Sequence, residues 1–164
     1  MTIIKGRRQA HPDKPFALFL IGMRVNRLAA IGQWWPVFTA MPRMQAELAR
    51  NPAAGMLWQK NFISGRITLT LQYWQSVEKL FAYAHDREGR HFPAWAAFNR
   101  KLKDNKAVGI WHESYAVTPQ AAENIYSNMP AFGLGGAIGV TSAIARMGGL
   151  RDPFSRLPKT PNGR

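Results

Sequence analysis

The stretch that decides the fold is Ile67–Trp111, ITLTLQYWQSVEKLFAYAHDREGRHFPAWAAFNRKLKDNKAVGIW. Its opening residues alternate, Ile67, Leu69, Leu71 and Tyr73 against Thr68, Thr70, Gln72 and Trp74. A period of two predicts a strand with one face on a core. Ser76 then stands as the N-cap of a helix, with Lys79 where a capping box carries Glu, so the cap is partial. Val77, Leu80, Phe81 and Ala84 make the inner face of that helix, and Asp86–Arg90 is a polar break. His91, Trp95, Phe98 and Leu102 recur at helical spacing, within about 60° of arc, and predict a second helix. Pro93 leaves two starts for it: His91, or Pro93 itself with Phe92 extended. Ala107–Val117 closes the stretch as a strand, with Val108, Ile110 and His112 on one face and Trp111, Glu113 and Tyr115 on the other.

Upstream, Phe16–Arg24 is short and continuously apolar, as a buried strand is. A helix follows from Trp34-Trp35-Pro36, with Pro36 in its first turn and Val37, Met41, Met44 and Leu48 along one face. Pro42 lacks the N–H for the Phe38 carbonyl and predicts a kink, and Asn51-Pro52 ends the helix. Met56–Ser64 is a strand, turned tightly at Ser64-Gly65 into the alternating one. Downstream, Thr118-Pro119 predicts a short helix through Tyr126, then a turn-rich NMPAFGLGG and a helix over Ala137–Met147. The order β, α, β, β, interrupted α, β is that of an α+β, ferredoxin-like antiparallel sheet with helices on one face. The uncovered face is apolar, and a second copy is the simplest cover because a two-fold interface is self-complementary. The expectation is a homodimer whose two sheets form an α/β barrel.

The chain has 164 residues, 46% of them hydrophobic and 12% aromatic, enough for one packed domain. Residues 15–135 are taken as that domain, residues 1–14 as a basic arm and residues 136–164 as an extension with a basic tail. Of the net charge of +13, seven units sit in residues 1–14 and 146–164. Such arms suit nucleic acid or an anionic membrane, but a solvated, solubilising tail is the plainer reading. No cysteine is present, which removes disulfide and thiolate chemistry and agrees with a cytoplasmic protein. The longest apolar runs fall far short of the roughly 20 residues that span a bilayer.

The segments FLIGMRVN (Phe19–Asn26), WWPVFTAMPRM (Trp34–Met44), LQYWQSVEKLFAYA (Leu71–Ala84), HFPAWAAFN (His91–Asn99), GIWHESY (Gly109–Tyr115) and IYSNMPAFGLG (Ile125–Gly135) together resemble the monooxygenase-like family of the dimeric α/β-barrel superfamily. That family includes the small oxygenase of fungal fumagillin-type pathways. The resemblance implies the barrel fold, homodimerisation and a pocket between each sheet and its own helices. It makes His91 the counterpart of the pocket histidine on the second helix.

Candidate catalytic residues are His91 as base, Arg24 and Asn26 at a strand end to steady an oxyanion, and His112 and Glu113. Neighbours in a strand point to opposite faces, so His112 and Glu113 are not a pair within one subunit, and Glu113 is a candidate partner for Arg24. Trp74, Trp95, Phe98, Trp111 and Tyr115 are candidate walls for an apolar or aromatic ligand, against core packing as the plain alternative. The leading expectation is oxygenation without a cofactor. The alternatives are a haem protein with His91 as axial ligand, and a non-enzymatic ligand-binding or stress-associated module. GLGGAIG (Gly133–Gly139) follows no strand and so lacks the setting of a phosphate loop.

Overall fold

A computed structural model describes residues 2–86 and 106–142. The main sheet contains β2 (Phe16–Val25), β3 (Met56–Ser64), β4 (Ile67–Trp74) and β5 (Val108–Val117) in the order β3-β4-β2-β5, with every pairing antiparallel. Helix α1 (Ile31–Arg50) joins β2 to β3, and α2 (Val77–His85) follows β4. This is the α+β, ferredoxin-like arrangement that the order of elements predicts. The second helix expected over His91–Leu102 lies outside the described residues, so His91, Trp95 and Phe98 have no described position.

Several boundaries follow from local chemistry. Gly65 takes φ +55° at the first loop position between β3 and β4, as a two-residue hairpin with glycine in front requires. The Ser76 hydroxyl accepts the Lys79 N–H at 3.2 Å and opens α2, as the partial cap predicts. Helix α1 begins at Ile31, three residues earlier than expected, so Pro36 lies in its second turn rather than its first. The helix continues through Pro36 and Pro42 without interruption. The Thr39 hydroxyl donates to the carbonyls of Trp35 and Pro36 in this proline-weakened region.

Two elements differ from expectation. Residues 119–126 are not a helix: Pro119–Ala121 makes one 3₁₀ turn, and Tyr126–Met129 is a strand, β6. Its partner is β1 (Ile4–Gln9), inside the basic N-terminal segment, and β7 (Thr141–Ser142) completes the order β6-β1-β7. Long-range contacts override local sequence here. Asn124 both accepts from the Ala10 N–H (2.7 Å) and donates to the Ala10 carbonyl (2.8 Å), and Asn128 accepts the Gly6 N–H. Helix α3 (Leu134–Ile138) starts earlier and is shorter than the helix expected over Ala137–Met147, of which residues 143–147 are not described.

The helix-side face of the main sheet carries Ala17, Phe19, Ile21, Met23 and Val25 of β2 and their partners Thr68, Thr70, Gln72 and Trp74 of β4. Ala17, Trp74, Leu48 of α1 and Leu80 of α2 form one core, and Met23, Val25 and Val108 form a second beneath Trp34, Val37 and Phe38. On the other face, Phe16, Ala10 and Leu134 pack with Tyr73, Val117, Tyr126 and Val140, so the small sheet and α3 cover one end only. The glycines of GLGG serve this contact. A Cβ at Gly136 would lie 2.4 Å from the Trp58 indole nitrogen, and one at Gly135 would lie 2.5 Å from Val140.

Candidate active-site groove

An apolar groove of about 270 Å³ lies between α1 and the helix-side face of the sheet. Val37, Phe38, Met41 and Met44 supply the helix wall. The 3.6-residue period of α1 places them on one face, so the stripe that reads as core in the sequence is here partly groove wall. Ile21, Met23, Ile110 and Ile63 supply the sheet wall. Four polar side chains interrupt it: Asn61, Thr68, Thr70 and His112. An apolar slot with a few polar groups is the ordinary form of a small-molecule site.

His112 sits on β5 opposite Ile21, its ring 5.9 Å from that of Phe19. The residues from Ile110 to Ala116 are all exposed, so the imidazole stands at the open side of the groove, accessible to ligand and solvent.

At the β3 side a polar network enters the wall. The Asn61 and Gln45 side-chain amides exchange two hydrogen bonds (2.7 and 2.9 Å), and the Thr70 hydroxyl donates to Asn61 Oδ1 at 2.8 Å. Gln45 also donates to Thr70 Oγ1 at 3.3 Å. Thr70 and Gln45 are buried, so these bonds offset a desolvation cost. Beyond them the Trp74 indole donates to Gln72 Oε1 at 2.9 Å. Sequence reading passes over Gln45, Asn61 and Thr70 because each looks like a polar residue on a solvated face. The available signal was the alternation of β4 itself, whose Thr68-x-Thr70-x-Gln72-x-Trp74 side carries the buried Trp.

The candidates therefore separate. His112 lines the groove. Trp74, 1% exposed, is core: it packs 5.6 Å from the Tyr83 ring and is not part of the groove wall. Burial pushes the Tyr83 hydroxyl pKa up, with Glu47 and Asp86 adding to the shift.

Arg24 and Asn26 do come together, with the Arg24 guanidinium donating to Asn26 Oδ1, but they do so at the sheet's end, outside the groove lining. Glu113 does not pair with Arg24. Strand register sets Glu113 opposite Leu20 and Arg24 opposite Gly109, and Glu113 instead accepts the Tyr115 hydroxyl at 2.6 Å. That bond raises the Tyr115 pKa, because it holds the phenol proton. Trp111, Glu113 and Tyr115 share the face away from the groove. Trp111 lies over Gly22, where a Cβ would come within 2.7 Å of its indole nitrogen.

The haem alternative rests on His91, which is not described. The described groove offers one histidine, His112.

Residues 16–134 match the sequence model of the family described as monooxygenase af470-like. No curated protein matches. Among solved structures, the chain is similar to the aldoxime dehydratase OxdRE in complex with butyraldoxime, at 17% identity and a TM-score of 0.59. That likeness covers 84% of this chain and 42% of the dehydratase, and it shows the fold. Smaller likenesses, with TM-scores of 0.43, run to SnoaB, a cofactor-independent oxygenase from Streptomyces nogalater, and to a conserved protein from Bacteroides thetaiotaomicron. SnoaB is 13% identical, with 62% of this chain and 92% of SnoaB covered. For the Bacteroides protein the values are 16%, 65% and 100%.

Proposed function

Because the chain belongs to the af470-like monooxygenase family, we propose that it is a monooxygenase that oxidises an apolar, conjugated small molecule in the groove under α1, without a bound cofactor. The observation that carries this reading is an accessible imidazole, His112, on the wall of an otherwise apolar slot. The slot desolvates a flat substrate, and among the described residues the imidazole is the groove side chain suited to moving a proton.

Without a cofactor, the substrate itself must reduce O₂. His112 takes the proton from the activated C–H of a conjugated ketone, or from the O–H of its phenol tautomer, which gives the same delocalised anion. The carbanion passes one electron to O₂, and the radical pair closes a C–O bond to give a peroxide, which takes up a proton. Loss of water from the hydroperoxide, with the second hydrogen of that carbon, leaves a carbonyl. The balance is SH₂ + O₂ → S=O + H₂O. Thr68 and the Asn61–Thr70 network supply hydrogen bonds for the substrate's oxygen. His91 is the competing base, on the strength of its family position.

The test is oxygen uptake with a panel of polycyclic phenols and anthrone-type ketones, comparing wild type, His112→Ala and His91→Ala. The expected result is a loss of about 10²–10⁴-fold in His112→Ala with the fold intact. Undiminished turnover in His112→Ala alongside loss in His91→Ala transfers the role to His91. An absorption spectrum and haemin titration accompany it, since a saturable Soret band replaces this chemistry with haem chemistry.

We propose also that the apolar face away from the groove joins two copies. Leu18, Leu20, Leu69 and Leu71 share that face with exposed Trp111 and Tyr115, and the small sheet covers only one end of it. Light scattering at micromolar concentration tests this, and a monomer would remove it.

A further inference from the structure

We infer that the end of the main sheet where β2 runs out, and where β4 and β5 begin, is a docking surface for an anionic lipid bilayer. Three segments meet there. The Val25 N–H donates to the Arg66 carbonyl (2.8 Å), the Asn26 N–H to the Ala107 carbonyl (2.8 Å), and Asn26 Nδ2 to the Lys106 carbonyl (3.4 Å). These bonds tie the β2–α1 connection, the β3–β4 hairpin and the start of β5 into one tip.

Among its described residues the tip is basic and carries no acid. Residues 24–35, 61–68 and 106–110 contain Arg24, Arg27, Arg66 and Lys106, all exposed, and no Asp or Glu. The tip is also apolar in a way a soluble surface seldom is. Ile63 is 69% exposed, Ile31 59%, Leu28 53% and Trp35 51%. Loops that present cations together with Trp, Leu and Ile have the composition of an interfacial membrane contact: the cations meet anionic headgroups and the apolar side chains enter the acyl boundary. Nucleic acid would account for the four cations but not for exposed Ile, Leu and Trp beside them, so charge and apolarity together select the bilayer.

The tip is continuous with the groove. Ile63 lines the groove directly, and Trp35 stacks on Phe38, a groove-wall residue, at 5.7 Å between ring centroids. An apolar substrate dissolved in lipid would thus pass from tip to groove without crossing water. This last step rests on the groove being the substrate site; the docking does not.

The experiment is sedimentation of the full chain with vesicles of phosphatidylcholine alone and of phosphatidylcholine with about one-third phosphatidylserine. It is repeated at about 0.5 M salt, where exposed charges are screened. Duplex DNA serves as the competing polyanion. Wild type is expected to bind the anionic vesicles selectively and to release them at high salt. Arg27→Glu with Arg66→Glu should weaken that binding by at least about tenfold, and Leu28→Glu should weaken it as well. Brominated lipid should quench tryptophan fluorescence, with the quenched component lost in Trp35→Phe. Three results overturn the inference. One is no binding to anionic vesicles. Another is binding that all these variants leave unchanged, which assigns it to the basic termini. The third is DNA binding sensitive to the charge reversals without vesicle binding. A chain that docks on vesicles but oxidises no substrate retains the tip and loses the groove reading.

Discussion

The two faces of the main sheet are built from the same strands and have opposite chemistry. The face toward α1 mixes apolar side chains with Thr68, Thr70, Gln72, Asn61 and His112, and an apolar groove with polar points lies against it. The face away from α1 is a field of Leu18, Leu20, Leu69, Leu71, Trp111 and Tyr115, with Glu113 tied to Tyr115. A surface that must hold one oriented small molecule needs a few fixed hydrogen-bonding groups. A surface that must hold another protein surface needs area. The proposed function places ligand on the first face and a second copy on the other, and that pairing can be broken at either.

The largest effect is expected at Gly22. Its added Cβ would lie 2.5 Å from the Thr68 carbonyl oxygen and 2.7 Å from the Trp111 indole nitrogen, one of them backbone that cannot yield cheaply. Gly22→Ala should cost about 3 kcal/mol in chemical denaturation. A cost near zero would show that Trp111 moves freely and that the far face is not set by this contact. Next, Leu20→Glu puts a charge in the middle of the far face. It should shift a dimer to monomer in light scattering, weakening association by about 30-fold or more, as loss of a central contact does. Ligand binding in the groove should persist.

Gln45→Leu tests the other face. It keeps the volume but leaves Asn61 and Thr70 short of partners, and should cost about 1–3 kcal/mol. Addition of Thr70→Val should recover part of that loss, since fewer polar groups then remain unpaired. The smallest effect is at alkaline pH. Burial raises the pKa values of Tyr73 and Tyr83 in the folded chain. Both phenols are therefore neutral in the fold where unfolded tyrosine, near pKa 10, ionises. The stability they contribute is complete below that pH and falls as pH rises beyond it. Tyrosinate absorbance should show these two phenols ionising late, and a melting temperature that rises above pH 10 would contradict the sign.

Much of this was legible in the chain. The bounds of β3 and β4, the Ser76 cap and the hairpin at Gly65 are local events. Side-chain alternation, a hydroxyl at the N-cap and a glycine at positive φ each act within a few residues, so the sequence states them directly. The order of elements then leaves few topologies open, and the ferredoxin-like sheet follows. Strand alternation put His112 and Glu113 on opposite faces, without telling which of them meets the groove.

The tertiary structure decided what depends on partners distant in sequence. Ile4–Gln9 reads as a basic arm, and it becomes a strand because Asn124, Asn128 and β6 supply its hydrogen bonds from more than a hundred residues away. Trp74 and His112 both read as pocket residues. Packing sent Trp74 into the core beneath Leu48 and Leu80 and left His112 on the groove wall. Arg24 and Glu113 read as a cross-sheet pair, but the β2–β5 register separates them. Local alternation tells which face a side chain takes. Only the register between strands, and the helix laid over them, tells what that face meets.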